Sequence, residues 1–530
     1  MKKTLFILAI MILCVSLVAC VQQSKPQPVN KEESQQTSGD STQSNSTDEK
    51  VKILNAATYW MSDNAEPTKS WNGWVVARFG AGENLIQLDE NMRFKPVIAE
   101  SWEQVDELTT VFNIREGIKF HNGNLVDSKA CKASIERALE ITNRDDVKLP
   151  IESITAEGQK LTIKTSEVIP TLINLLADPV YIIVDVSVSD EVDFSLTPIC
   201  TGPFKITEYE TGVGIKLEKN KDYWKSPVDV DVINVKLIKD TSARAMALQS
   251  GEVDFVTALN RKDLGLFEGK DEFVVQRGPN LRVAFLALNM NKSYMQKSEF
   301  RQALAYGIDK KTYAKELYDA TMAKGPFNET LSFGYKGEDY YSYDPDKARE
   351  LLDKIGYIDK NGDGIREIDG KNIVLQYATL SHFGRDAANT GVAMQSQYKE
   401  IGLGLEITQY ENLSDIANSK EFDIIWDRWT STPTADPQYL FETAYKTGSK
   451  ANRGNYSNPE FDAICEELAN TLKKEDRDKL GVKGSEILME DAGIIFLFYL
   501  EGSVVTRSNV EGIHRFVSDI YHIDERVKMK

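Results

Sequence analysis

Apolar and polar residues follow two different periods along the chain, which predicts a mixed α/β protein. Residues 110–114 alternate with the two-residue period of a half-buried strand, and residues 51–56 and 232–238 are further predicted strands. Residues 127–141 instead place small and apolar side chains at helical spacing, with Asp127 or Ser128 available as the N-cap. The alternation of the two element types indicates an α/β architecture.

Two further segments are predicted helices because their ends are marked. A short helix is expected to begin with Thr241 as its cap and to end at Gly251, since glycine tolerates the left-handed conformation common at that position. The second helix follows Asp344, which can accept free backbone N–H groups, and Pro345, which fits the first helical position. Gly356 is expected to end it.

The N-terminus has the pattern of a secretion signal. Two lysines precede an apolar run over residues 5–19, which is shorter than the roughly 20 residues that a membrane-spanning helix needs. Residues 17–20, Leu-Val-Ala-Cys, resemble a bacterial lipobox, in which the cysteine receives a lipid and becomes the new N-terminus. We therefore predict a signal peptide over residues 1–19 and lipidation of Cys20. The alternative is a plain signal peptide with a chance cysteine.

Residues 20–50 are expected to form a disordered, lipid-anchored linker. Gln, Ser, Thr, Asn and charged residues dominate this segment, which buries too little to recover its ordering entropy. No later stretch offers about 18 consecutive apolar residues. The lipid is therefore the only predicted membrane attachment, and the folded body is expected on the extracytoplasmic face of the cell membrane.

Length, charge and missing motifs limit the class of protein. The 530 residues correspond to about three domains, and a hydrophobic content of 41% excludes a wholly disordered chain. The formal charge of −18 gives no support to nucleic-acid binding. The chain contains no G-x-S-x-G elbow, H-E-x-x-H pair or P-loop, so a secreted hydrolase is the weaker alternative and no enzyme activity is predicted.

A series of short motifs runs through the middle of the chain. They are residues 94–102 (FKPVIAESW), 112–123 (FNIREGIKFHNG), 201–206 (TGPFKI), 220–224 (NKDYW), 248–254 (LQSGEVD), 300–310 (FRQALAYGIDK) and 343–348 (YDPDKA). Together and in this order they resemble family 5 of the bacterial extracellular solute-binding proteins, the peptide- and nickel-binding receptors of ABC importers. Cys200 stands where the family's turn usually has a glycine.

The resemblance implies an α/β, two-lobed periplasmic-binding-protein fold of type II with an extra inserted domain. Lobe I would combine residues 51–93, 204–282 and 500–530, the inserted domain would span residues 94–203, and lobe II would span residues 283–499. A ligand would be enclosed as the lobes close about a hinge. The implied partners are a small-molecule ligand and the permease subunits in the membrane. We expect a monomer, no nucleic acid and no cofactor.

The implied function is the capture of oligopeptides, or of a related small carboxylate-bearing solute, for delivery to the permease. Two alternatives stay open: a receptor for nickel held by a metallophore, and a signalling receptor that presents bound peptide to another protein. Direct coordination of a bare metal ion is not expected, because Gln438 follows Asp436 and Pro437 where some nickel receptors of the family have histidine. The histidines also lack ligand-like spacing; they are His121, His382, His514 and His522.

Aromatic residues and a few charges cluster twice in the chain and are the predicted ligand contacts. Flat rings offer a large apolar contact at little entropic expense, and arginine can hold a carboxylate through two parallel hydrogen bonds. This combination suits a small anionic or zwitterionic solute, although a core position is the alternative for each tryptophan. The candidates are Tyr59, Trp60, Trp71, Trp74 and Arg78 in the first cluster, and Trp426, Arg428, Trp429, Thr430 and Asp436 in the second.

A weaker candidate site is a calcium loop. Asp359, Asn361 and Asp363 occupy positions 1, 3 and 5 of a segment that begins like an EF-hand. Gly370 stands at position 12 in place of the bidentate glutamate, and residues 373–377 are a predicted strand rather than a helix. A hairpin turn rich in Asp, Asn and Gly is therefore the favoured interpretation.

The cysteines of the folded body give no sign of a metal or redox site. Cys131, Cys200 and Cys465 are widely spaced and form no C-x-x-C pair. We expect all three to be small buried thiols.

Overall fold

The computed structural model of the protein describes residues 50–419 and 421–530. The predicted signal peptide, the predicted lipidation site Cys20 and the predicted linker up to residue 49 lie outside the described residues. Within the described part of the chain, no helix is both long enough and apolar enough to cross a bilayer.

Helices and strands alternate along the chain, which confirms the predicted mixed α/β class. The strands are β1 Ile53–Thr58, β2 Ile86–Leu88, β3 Phe94–Pro96, β4 Ala99–Gln104, β5 Thr109–Ile114, β6 Ile151–Glu157, β7 Lys160–Thr165, β8 Phe204–Glu210, β9 Gly214–Lys219, β10 Val232–Leu237, β11 Phe255–Thr257, β12 Phe273–Leu288, β13 Thr321–Met322, β14 Glu367–Ile368, β15 Lys371–Asn372, β16 Val374–Leu380, β17 Gly404–Tyr410, β18 Ile424–Thr430, β19 Ile494–Arg507, β20 Val510–Glu511 and β21 Lys528–Met529. The α-helices are α1 Asn72–Arg78, α2 Ser128–Ile141, α3 Leu172–Leu176, α4 Thr241–Ser250, α5 Arg261–Leu264, α6 Ser298–Tyr306, α7 Lys310–Thr312, α8 Pro345–Lys354, α9 Gly384–Glu400, α10 Leu413–Ser419, α11 Gln438–Leu440, α12 Pro459–Leu468 and α13 Lys474–Glu490. Two π-helical turns, Tyr313–Tyr318 and Phe441–Tyr445, follow α7 and α11.

One large sheet carries the architecture. Its strand order is β17-β16-β18-β12-β19-β11-β1-β10-β9-β8, with β13 paired to β19. We call β8 to β11 with β1 the β1 side, and β16 to β18 the β18 side. The two long antiparallel strands β12 and β19 lie between them and form what we call the central ribbon.

The central ribbon is irregular near its middle. Its regular pairing is interrupted between Pro279 and Val283 of β12, opposite Glu501 and Tyr499 of β19. The part of β12 after the interruption pairs with β18, and the part of β19 before Arg507 pairs with β11. The ribbon is thus the covalent and hydrogen-bonded connection between the two sides of the sheet.

Separate apolar cores pack against different parts of this framework. The largest core combines the β18 side with α6, α8 and α12. A second core packs β1 and β8 to β10 against α1. A third lies between α2 and a separate four-stranded sheet in the order β4-β5-β7-β6.

Local capping signals in the sequence were informative. Asp127 accepts a hydrogen bond from the backbone N–H of Ala130, and Asp344 accepts one from Lys347, so both predicted N-caps are confirmed. The prediction that Thr241 caps α4 is wrong, because Asp240 is the cap and accepts from the N–H of Ala243. A carboxylate one residue earlier reaches the free N–H groups, and the Thr241 hydroxyl donates to Asp263 instead.

The candidate calcium loop forms a turn in which nearby backbone and side-chain N–H groups donate hydrogen bonds to the carboxylates of Asp359 and Asp363. Asp359 accepts hydrogen bonds from the N–H groups of Gly362 and Gly364 at 2.7 and 2.9 Å. Asp363 accepts from the side-chain amides of Asn361 and Asn372 at 3.1 and 2.7 Å. These contacts are those of the favoured hairpin-turn interpretation.

The three cysteines of the described chain are buried and free, which confirms the prediction of buried thiols. Burial raises the pKa of the Cys465 thiol to about 12. The pKa values of Cys131 and Cys200 are also raised by burial. Thiols with such raised pKa values stay protonated and unreactive at neutral pH.

Candidate functional site

Both sides of the sheet and the central ribbon line a cavity of about 420 Å³. Seven of the ten predicted contact residues meet there. The lining consists of Tyr59, Trp60, Trp71, Trp74, Arg78, Ala258, Asn280, Arg282, Arg428, Thr430, Leu500 and Glu501. Residues from distant parts of the chain therefore build one site.

The first cluster reaches the cavity because strand β1 ends there. Tyr59 and Trp60 directly follow β1, and Trp71 immediately precedes α1, which presents Trp74 and Arg78. Carboxyl ends of parallel strands form the usual ligand crevice of open α/β sheets, and β1 is parallel to both of its neighbours.

The tryptophan side chains in the cavity wall are positioned by an edge-to-face ring contact and by a cation–π contact. The rings of Trp71 and Trp74 meet edge to face with centroids 5.3 Å apart. The guanidinium carbon of Arg144 lies 3.7 Å from the centroid of the Trp71 ring. Arg144 is itself fixed by its ion pairs with Asp178 and Asp146, at 3.0 and 2.7 Å. Trp71 is 40% exposed, so its ring is both positioned and accessible.

The second cluster divides along β18. Arg428 and Thr430 share one face of the strand, because alternate residues point the same way, and both line the cavity. Trp426 lies deeper on the strand and is only 1% exposed, within the core of the β18 side. Trp429 points to the opposite face, where the guanidinium of Arg453 lies 5.9 Å from its ring centroid. The structure therefore does not bring Trp426 or Trp429 to the cavity.

Asp436 also lies away from the cavity. Arg477 donates to its two carboxylate oxygens at 2.6 and 2.8 Å, and both side chains are buried. Two parallel charge-assisted hydrogen bonds already satisfy this carboxylate. Asp436 holds α13 to the segment before α11 rather than lining the candidate site.

A charged network around Asp519 forms the floor beside the cavity. Arg78 donates to the backbone carbonyl of Asp519 from Nε and Nη2, at 3.2 and 2.6 Å. Tyr59 donates to Asp519 Oδ2 at 3.3 Å, and Arg282 Nη1 lies 3.7 Å from the same oxygen. His522 Nε2 is 3.2 Å from the other carboxylate oxygen. The network joins the end of β1, the end of α1 and the central ribbon.

Ionisation in this network follows from burial and charge. Burial alone would raise the pKa of Asp519, but the charge of Arg78 and the contact with His522 hold that pKa well below its usual range. The negative charge of Asp519, with burial, raises the pKa of the Tyr59 phenol. Burial lowers the pKa of the His522 imidazole, which keeps it neutral at neutral pH.

One donor in the cavity wall is left over. Arg78 is 1% exposed, and its Nη1 has no hydrogen-bond partner among the described residues. The guanidinium carbon lies 5.6 Å from the centroid of the Trp60 ring. A buried guanidinium N–H without an acceptor is unfavourable, so this donor lowers the stability gained from the Arg78 contacts.

Cations outnumber acids in the cavity lining. Arg78, Arg282 and Arg428 contribute three guanidinium groups, and Glu501 is the one carboxylate among the lining residues. Burial raises the pKa of Glu501, and its Oε1 accepts a hydrogen bond from the Thr321 hydroxyl at 3.1 Å. Three arginines and aromatic walls suit a solute with carboxylates.

Sequence reasoning missed the residues contributed by the ribbon and the C-terminal segment. Asn280, Arg282 and Glu501 come from the irregular part of the ribbon, and Asp519 follows it by 18 positions. The available signal was the polar pair Asn280 and Arg282 just before the apolar run of residues 283–288. Polar residues that interrupt a buried strand are candidates for a site.

A site for a bare metal ion is not formed by the side chains described. Among residues 50–419 and 421–530, no group of three or more His, Cys, Asp or Glu is placed to hold a metal ion. His121 is buried, with its Nε2 3.1 Å from the carbonyl of Gly202. His522 contacts Asp519 instead of facing other histidines.

Three comparisons with known proteins show which proteins this chain resembles. The chain is 26% identical over 460 residues to the nickel-binding protein NikA of Staphylococcus aureus, covering 86% of this chain and 90% of that protein. It is 25% identical over 464 residues to the oligopeptide-binding protein AppA of Bacillus subtilis, covering 83% and 85%. The crystal structure of a nickel ABC transporter protein from Bacillus halodurans superimposes with a TM-score of 0.80 at 27% identity, covering 90% and 99%.

The structure of S. aureus NikA in complex with Ni(L-His)2 gives a TM-score of 0.73 at 25% identity, covering 90% of this chain and 100% of that one. These neighbours confirm the predicted two-lobed binding-protein fold. The family model described as bacterial extracellular solute-binding proteins, family 5 middle, matches residues 93–452. The chain belongs to family 5 of the bacterial extracellular solute-binding proteins, the solute receptors of ABC importers.

Proposed function

We propose that the protein captures a small solute bearing at least one carboxylate in the cavity between Arg78 and Arg428 and delivers it to the permease of an ABC importer. The observation that carries this proposal is the charge of the cavity lining, in which the guanidinium groups of Arg78, Arg282 and Arg428 are accompanied by a single carboxylate, that of Glu501. A guanidinium group binds a carboxylate through charge-assisted hydrogen bonds.

Capture is proposed to proceed by closure of two lobes. The cavity is lined by α1 on one wall and the end of β18 on the other, with the irregular part of the ribbon between them. Asn174 of α3 also donates to the carbonyl of Thr434 at 2.7 Å, in a buried contact between α3 and the segment after β18. We propose the lobe boundaries near residues 282 and 500, beside the irregular pairing at Pro279 and Val283.

Two ligand chemistries fit the arginine-lined cavity. An oligopeptide brings a terminal carboxylate, and AppA is an oligopeptide-binding relative. A nickel chelate brings the carboxylates of its chelator, and NikA has been solved with Ni(L-His)2. Since the described side chains form no metal-binding group of their own, nickel would enter as the chelate. In both cases the arginines would bind carboxylate groups of the ligand.

The cellular setting is part of the same proposal. We propose that Cys20 carries the lipid, that residues 20–50 tether the folded body to the outer face of the membrane, and that the receptor is a monomer without enzymatic activity. The family of extracellular solute-binding proteins supports the extracytoplasmic location.

The test is calorimetric titration of the purified protein with a short peptide, with the nickel–histidine chelate and with nickel ion alone. We expect one of the first two to bind with one-to-one stoichiometry and nickel alone to give no heat. Mass spectrometry with metal analysis of the freshly purified protein identifies the ligand carried from the cell. Turnover of the ligand, or binding of the bare ion alone, would overturn the proposal.

A further inference from the structure

A second cavity, of about 770 Å³, adjoins the candidate ligand cavity. The two share Ala258, Leu500 and Glu501 as a common wall. We call the second cavity the rear groove. It is lined by Thr241, Ala258, Leu259, Asn260, Arg261, Lys262, Leu264, Gly265, Arg277, Glu316, Leu317, Tyr318, Asp319, Ala320, Phe498, Leu500, Glu501, Gly502 and Ser503.

The rear groove and the ligand cavity lie on opposite faces of the sheet. Successive residues of a strand point to opposite faces. In β1, Ala56 belongs to the core that contains α1, whereas Ala57 belongs to the core of α4 and α5. Since α1 lines the ligand cavity and α5 lines the rear groove, the two cavities lie on opposite faces of the sheet, with the shared wall between them.

The rear groove is bounded by both sides of the sheet. Asp319, which follows the π-helical turn beside β13, pairs with Arg261 of α5 at 3.2 Å and with Arg277 of β12 at 2.6 Å. Tyr318, one residue earlier, stacks on Phe498 of β19 with ring centroids 4.2 Å apart. Residues of the β1 side and residues packed on the β18 side thus face each other across this groove.

Two cavities on opposite faces of one connecting ribbon cannot both widen in a rotation about that ribbon. Separation of the walls that carry Arg78 and Arg428 must bring the walls of the rear groove together. We propose that the rear groove sets the ligand affinity from a distance: side chains that fill it oppose opening of the ligand cavity and so favour the ligand-binding arrangement. Affinity rises when the binding-competent state is more populated in the free protein.

Leu317 is the position of choice for a test. It lines the rear groove, is 41% exposed and does not belong to the lining of the ligand cavity. Leu266 is a matched control, because it is 38% exposed and does not line the groove. Lys262, on the α5 wall, is a second and independent position in the groove.

The experiment compares Leu317→Trp, Lys262→Trp and Leu266→Trp with the parent chain. Calorimetry uses the short peptide and the nickel–histidine chelate as probes, and small-angle scattering records the shape of each ligand-free protein. We expect the two groove variants to bind the probe about threefold to tenfold more tightly and to be more compact without ligand. Leu266→Trp should match the parent in both measurements.

The inference rests on the proposed function for the closure of the two lobes and for the affinity readout. If neither probe binds the parent chain, the proposed function fails, while the scattering of the ligand-free variants still tests the groove. Groove variants that fold, as thermal unfolding would show, but equal Leu266→Trp in shape and affinity would overturn the inference.

Discussion

Arg78 and Asp519, 441 positions apart in the chain, are joined by three hydrogen bonds from one guanidinium group. The contact fixes the C-terminal segment against α1 and uses Nε and Nη2 of Arg78. Asp519 adopts a left-handed backbone conformation with φ 59°, which is uncommon for a residue other than glycine. The network therefore ties the C-terminal segment to the wall of the candidate cavity.

Asp519→Asn should destabilise the protein at neutral pH by about 2–4 kcal/mol, because Arg78 and Arg282 lose their buried counter-charge. The folded-state pKa of Asp519 lies below its unfolded value. Its charge therefore stabilises the fold fully above about pH 4 and progressively less as the pH falls below that value. Thermal unfolding of parent and variant across this range measures the difference.

The difference in stability against unfolding between the parent and Asp519→Asn should become smaller at acidic pH. An equal difference at all pH values would show that Asp519 contributes through the shape of its side chain and not through its charge. Asp106→Asn, at a solvent-exposed carboxylate, is the control.

Arg428→Gln should weaken binding of a carboxylate ligand by about 10- to 100-fold. The reason is that the variant loses the charge-assisted hydrogen bond, or the electrostatic attraction, between the guanidinium group and the ligand carboxylate in a partly buried cavity. The fold should be unaffected, since Arg428 lies at the cavity wall near the end of β18. Calorimetry measures the affinity and circular dichroism the fold. Arg93→Gln is the control, because the Arg93 side chain is 74% exposed and lies outside the cavity lining; equal affinities of both variants would contradict the role of Arg428.

Glu501 should make binding of an anion dependent on pH. Burial raises its pKa, so the carboxyl group becomes neutral as the pH falls through that raised value and repels an anionic ligand less. Affinity of the parent should therefore increase as the pH is lowered from neutral towards the raised pKa of Glu501. Glu501→Gln should bind more tightly than the parent at neutral pH and should lose the dependence, whereas Glu252→Gln on the surface should keep it.

Ligand binding should change tryptophan fluorescence through the cavity wall. Of the seven tryptophans, Trp60, Trp71 and Trp74 line the cavity. Trp71→Phe should remove a large part of the ligand-induced change, because the exposed Trp71 ring would be covered by the solute. Trp102→Phe, on β4 of the separate sheet, should leave the change intact; the reverse pattern would place the ligand elsewhere.

Local sequence signals were enough for much of the fold. Asp127 and Asp344 were recognisable as caps because capping involves residues only three positions apart. The first aromatic cluster was found because Tyr59 and Trp60 directly follow a predicted strand. The motifs of residues 94–348 identified the family, which in turn implied the two-lobed architecture.

The rest of the site depended on distances that a sequence does not contain. The pairing of Asp436 with Arg477 joins residues 41 positions apart, so nothing near Asp436 indicated that its carboxylate was already satisfied. Trp429 could have been set aside by strand alternation, since it has the opposite parity to Arg428 and Thr430. Glu501 and Asp519 could be assigned to the site only from the structure, which brings the ribbon and the C-terminal segment beside α1.

The arginine-lined cavity is proposed to bind its ligand through a carboxylate group. A pair of ligands that differ only in this group tests the proposal most directly. The purified protein is titrated calorimetrically with the peptide or nickel–histidine chelate that binds, and then with its carboxamide counterpart of the same size. We expect one-to-one binding of the carboxylate form and an affinity at least about tenfold lower for the carboxamide. Equal affinity for the two forms would contradict it.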